Sequence, residues 1–220
     1  MGTSTKKVLP RSNKIIGNGV MNGQVGSGGS GLSNLIPKLV FPEKGLGKVK
    51  KTTGEVFNSG SYYSSIKSII RIISKIKKEG IAGIGISGFS GYNYYQKIDV
   101  LCDYLGIEDN EYLKQSFKDT LEEIDILTPD VDELLFIRKY IQNIMKNVIE
   151  SYSFEDASEN VIDFDDKRVD EEYGNYIESK IGEVLQINLN DELISSVNDD
   201  KKFAGILNKT YVLAMNALKG

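Results

Sequence analysis

The chain has 220 residues, 40% of them hydrophobic and 26% charged, which suffices for one ordinary domain with an arm or for two small domains. It has no His and a single cysteine, Cys102, so serine–histidine and cysteine–histidine hydrolytic centres, Cys/His zinc cages and intrachain disulfides are excluded. The net charge of −4 conceals a split: residues 1–100 hold 15 Lys and Arg against 4 acids, whereas residues 101–220 hold 12 against 27.

Residues 1–60 contain 12 of the 22 glycines, interspersed with Ser, Asn and Lys. Such a composition cannot offset chain entropy by burial, so the expectation is a flexible basic arm over 1–60. Within it lies an apolar island, Leu35-Ile36-Pro37-Lys38-Leu39-Val40-Phe41-Pro42, whose two prolines favour an extended shape. An extended apolar segment of this kind suits docking to a partner, and packing back on the chain's own domain is the alternative. Gly45-Leu46-Gly47-Lys48 lacks the spacing of a phosphate loop and reads as a linker turn.

From Ser61 the period becomes helical. Tyr62, Ile66, Ile69, Ile70, Ile73 and Ile76 form one stripe, Lys67, Arg71, Lys75 and Lys78 lie off it, and Gly80 closes the helix. Gly80 to Gly91 is a small-residue hinge. Further helices are expected over about 92–105, 110–126, 128–151, 171–185 and 201–218. The third of this series opens on Thr128-Pro129-Asp130, read as cap, first helical position and first-turn acid. Residues 153–172 are acidic and poorly periodic, and an acidic loop is expected near 153–170. The fold class is therefore an all-α bundle over 61–220 behind the arm.

The pattern G-x-G-x-x-G occurs at Gly26-Gly28-Gly31 and at Gly83-Gly85-Gly88. Neither copy has the strand before it that dinucleotide binding needs, so both read as spacer glycines and no cofactor is expected. Asp163-Phe164-Asp165-Asp166 lacks the glycine of a calcium loop, and no metal site is expected. Cys102 falls on the apolar side of its helix and reads as a core residue. Carboxylate, Lys or Tyr chemistry survives the exclusions above, but no motif arranges it, and a non-enzymatic binding protein is expected. Removal of Met1 would expose the α-amine of Gly2 on the arm; Lys6 stands where a myristoylation motif wants Ser or Thr.

Met1-Gly2-Thr3-Ser4, the Gly/Ser arm with its Leu35-Ile36-Pro37 element, the helix from Tyr62 and the Gly80–Gly91 hinge together resemble the QatB family of the Qat anti-phage defence system. The chain departs from that family in having no Trp and only 4 prolines. The resemblance implies an accessory protein without its own active site. Its companions would be an ATPase, a QueC-like enzyme and a TatD-like nuclease, and QueC-like enzymes perform ATP-dependent amide or nitrile formation on 7-deazaguanines. It also implies that the QueC-like partner binds the arm through Gly2, Thr3, Ser4, Leu35, Ile36, Pro37, Leu39 and Phe41, with Gly2 as the residue modified.

Two other readings come from the residues themselves. One is a nucleic-acid-binding adaptor that uses the basic arm and Lys67, Arg71, Lys75 and Lys78 of the 62–78 helix. The other is a phage or secretion-system structural protein whose arm threads a neighbour. No run of about 18 apolar residues is present, so no membrane partner is expected, and one free cysteine without a targeting signal fits the cytoplasm.

Overall fold

The stretch from Glu133 onward repeats Phe136, Ile137, Tyr140, Ile141, Ile144, Met145, Val148 and Ile149 at helical spacing, and a helix with so broad an apolar face is stable only when that face is covered. The computed structural model, which describes residues 43–156 and 167–218, places it at the centre of an all-α fold. Among the described residues there are eight helices and no strand: α1 (Glu43–Phe57), α2 (Gly60–Glu79), α3 (Tyr94–Leu105), α4 (Glu111–Glu123), α5 (Glu133–Asp156), α6 (Lys167–Asn188), α7 (Asp191–Ser195) and α8 (Asp200–Ala217). Two 3-10 turns, Ile81–Ile84 and Phe89–Gly91, join α2 to α3.

α5 is the central element, packed by α1, α2, α4 and α6, while α8 closes against α6 and α1. Phe136, Ile137, Tyr140, Ile141, Ile144, Met145, Val148 and Ile149 are all buried along it. Each large side chain so removed from water contributes about 1.5–3 kcal/mol. The seam with α4 sets a polar ladder beside the packed rings of Phe117, Phe136 and Tyr140: Asn143 Nδ2 donates to Thr120 Oγ1 (3.0 Å), and Asn147 Nδ2 donates to Ser116 Oγ (3.0 Å) and Asp119 Oδ2 (2.9 Å). A one-turn slip would break all three bonds inside the protein, so the ladder sets the register of the two helices.

α2 follows the stripe read from its sequence, with Tyr62, Ile66, Ile69, Ile70, Ile73 and Ile76 all buried. Ser59 caps it by accepting from the Tyr62 amide, and Gly80, at φ +70°, ends it. α3 opens two residues later than expected, on a reciprocal cap between Asn93 and Gln96.

The structure differs from the sequence reading in four places. The arm expected to reach residue 60 gives way at Glu43 to α1, so Gly45–Lys48 is helical rather than a linker turn. Val49, Thr53, Val56 and Phe57 recur at helical spacing and are buried. That burial outweighs a helix cost of roughly 1 kcal/mol per glycine at Gly47 and Gly54. The helix expected at Thr128 starts at Glu133, because Asp132 Oδ1 caps it by accepting from the amides of Leu134 (2.9 Å) and Leu135 (3.1 Å). Thr128 instead turns its hydroxyl back to the Asp125 carbonyl (3.0 Å). Both ends of the expected acidic loop are helical, as α5 continues to Asp156 and α6 begins at Lys167. Lastly, Asn190 caps the short α7, which was not expected.

Candidate interaction surfaces

α1 is where the N-terminal segment joins the fold, and its fastening is specific. Thr53 Oγ1 donates to the Val49 carbonyl (2.8 Å) and lies 2.8 Å from the hydroxyl of Tyr211 on α8. The Tyr211 hydroxyl also lies 3.2 Å from the Lys50 carbonyl, and its ring stacks on Phe57 with centroids 4.7 Å apart. Burial of this phenol raises its pKa, partly offset by the Thr53 bond. A helix of three glycines is thus tied to the opposite end of the chain by a polar and aromatic clasp.

The second surface is the outer side of α2. Of the four cations expected to act there, Arg71, Lys75 and Lys78 are exposed, whereas Lys67 is largely buried against α8. Lys67 pairs with Asp200 and lies over the Phe203 ring, 5.3 Å from its centroid. Hydrogen bonding and charge from Lys67, with a further contribution from Arg71, hold the exposed Asp200 carboxyl below its ordinary pKa. On the other flank Lys77 pairs with Glu133 (3.6 Å), which also accepts from Ser74 (3.3 Å).

The glycine-rich stretch after α2 is a folded turn rather than a phosphate cradle. Gly83-Gly85-Gly88 follows a helix and runs through the two 3-10 turns. At Gly83 an added Cβ would lie 2.7 Å from Glu79 Cβ and 3.0 Å from the Lys75 carbonyl oxygen, so this glycine permits close approach to α2. Beyond the turns Tyr94 and Tyr95 project into solvent, 47% and 77% exposed. Tyr94 has its pKa raised by partial burial and by the nearby carboxylates of Asp125 and Glu122.

The most perturbed groups are sealed in the core. Burial raises the phenols of Tyr62 and Tyr140 well above their ordinary range and pushes the Cys102 thiol up to about 11. None of the three reaches solvent, which suits packing rather than proton exchange. Lys139 bridges Glu123 (2.9 Å) and Glu178; although desolvation alone would lower its pKa, the two carboxylates raise it. Arg138 reaches across to the C-terminus of α6, where Nε (3.0 Å) and Nη2 (2.6 Å) donate to the Leu189 carbonyl. Among the described residues, no group of three or more Cys, Asp and Glu is placed to hold a metal ion, and no helix is long and apolar enough to cross a membrane.

Gly2, Thr3, Ser4, Leu35, Ile36, Pro37, Leu39 and Phe41 lie outside the described residues, as do Asp163–Asp166. Sequence reasoning missed the Thr53–Tyr211 clasp. Its one sequence signal is the spacing of Val49, Thr53, Val56 and Phe57. The chain matches no family model, no curated protein and no solved structure.

Proposed function

We propose that this chain is a non-catalytic component of a Qat-like anti-phage defence complex, in which the helical domain carries an N-terminal segment that enters a QueC-like partner. The observation that supports this reading most is the clasp on α1. The 42 residues before Glu43 hold five cations, no acid and the apolar Leu35–Phe41 element, and they lead directly into a helix fastened to the core. A binding segment that ends on a fixed base presents itself at high effective concentration to whatever engages the domain. The absence of His from the chain, and the sealing of Tyr62, Tyr140 and Cys102 in the core, agree with a carrier role.

On this reading Leu35, Ile36, Pro37, Leu39 and Phe41 dock on the partner, and Gly2, Thr3 and Ser4 reach its active site. Gly2, freed by loss of Met1, attacks with its α-amine a deazapurine carboxylate that ATP has activated as its adenylate with release of pyrophosphate, and the amide forms as AMP and the amine proton leave. Co-expression with a QueC-like enzyme from the same operon, followed by intact-mass measurement, tests this. The expected result is an added mass that maps to Gly2. A recovered chain that shows only the loss of Met1 contradicts the modification.

A further inference from the structure

A different observation, independent of the N-terminal segment, concerns the outer side of α2. The helix carries no acid from Gly60 to Lys78, and its large apolar side chains are in the core. What it leaves in solvent includes Ser64, Arg71, Lys75 and Lys78, whose spacing aligns them along one side over roughly 21 Å at 1.5 Å per residue.

Such a face is often neutralised by acids packed beside it, and here the ion pairs of Asp200 and Glu133 are made with other lysines, although Arg71 also favours the Asp200 carboxylate. Asp200 takes Lys67 and Glu133 takes Lys77. Glu79, the first acid of the helix, turns its side chain against the Gly83 turn, with Oε2 3.0 Å from where a Cβ would stand. Among the described residues Arg71, Lys75 and Lys78 make no ion pair. A hydroxyl followed by three cations in a row is a donor set for phosphate oxygens.

We propose that this face of α2 binds the phosphate backbone of duplex nucleic acid without reading its sequence. Duplex nucleic acid fits better than an anionic membrane, because a helix that lies in a bilayer surface must insert an apolar side, and that side of α2 is spent on the core. Base readout is not part of the proposal: three cations along a single helix face supply electrostatic contacts alone. Arg71, Lys75 and Lys78 contact phosphates, Ser64 donates at the end of the track, and Lys67 takes no part.

The test is fluorescence anisotropy of the full chain with two labelled 30-base-pair duplexes of unrelated sequence. Three phosphate contacts predict a slope of about −2.7 in log affinity against log salt, a loss of roughly 40-fold between about 50 and 200 mM. Both duplexes should bind alike, with a dissociation constant on the order of 10⁻⁴ to 10⁻⁶ M. The triple variant R71Q/K75Q/K78Q, its fold checked by circular dichroism, should lose that binding. No binding at low salt overturns the proposal, as does equal affinity in the triple variant, which would move the contact to the N-terminal cations. Capture by anionic phosphatidylglycerol vesicles that duplex does not compete away also overturns it.

Discussion

The hydroxyl of Tyr211, near the end of α8, lies 2.8 Å from Thr53 Oγ1 in α1, so one hydrogen bond joins residues 158 positions apart. That bond, the Lys50 carbonyl and the Phe57 stack make α1 part of the domain rather than part of the arm. Tyr211→Phe keeps the ring and removes the hydroxyl. It should cost about 1 kcal/mol in chemical denaturation and speed hydrogen exchange in α1 more than in α5. Uniform protection in the variant would mean that α1 is held by other contacts.

A pair of glycine substitutions separates helix from turn. Gly47, inside α1, has nothing within 4 Å of an added Cβ, so Gly47→Ala should stabilise by about 0.5–1 kcal/mol. Gly83→Ala must push the turn away from α2 and should destabilise by about 1–3 kcal/mol. Denaturant midpoints with unchanged slopes provide the comparison. A destabilising Gly47→Ala would argue that residues 43–57 are not helical in solution.

Arg138→Ala should cost about 1.5–3 kcal/mol, because the Leu189 carbonyl loses both donors at the C-terminus of α6. Arg138→Lys should recover less than half of that, since an ammonium cannot reproduce the two-donor fork. Full rescue by lysine would show that charge at the helix end is what counts.

The Cys102 thiol, ordinarily near 9.0, sits near 11 in the fold, and the phenols of Tyr62, Tyr140 and Tyr211 are also raised. Burial favours the neutral form of each. Their stabilisation is therefore complete below the unfolded pKa and is lost as pH rises through the folded one. Thermal midpoints should hold steady up to about pH 9 and fall between about pH 9 and 11. Cys102→Ala should be less stable at pH 8 but decline less steeply over that window. Identical slopes for the two proteins would assign the fall to the tyrosines.

α2 was legible because its signals agree: an isoleucine stripe of helical period and a closing glycine. α5 was legible in its interior but not at its start. Thr128-Pro129 has the chemistry of a cap and spends it on a turn, while Asp132 accepts from the two amides that matter. α1 was hidden because Gly45, Gly47 and Gly54 argue against a helix locally, and what outweighs them is burial against α5 and the contact with Tyr211, both far away in sequence. Of the cations read off the stripe of α2, Arg71, Lys75 and Lys78 are exposed, but Lys67 is not. Its partner Asp200 comes from α8, and no local pattern announces that pairing. Val212 and Leu213, apolar in sequence, face solvent for the same reason: which side of α8 is covered depends on where α1 and α6 lie.

On the proposed function, the helical domain carries the N-terminal segment to a partner enzyme. A pull-down from cells that hold the native operon tests it most directly, with the full chain compared against one that begins at Glu43. The account predicts that both chains fold, with the same helical circular dichroism, and that the full chain alone recovers a QueC-like enzyme. Recovery of the same enzyme by the shortened chain would contradict it, because the docking surface would then belong to the helices.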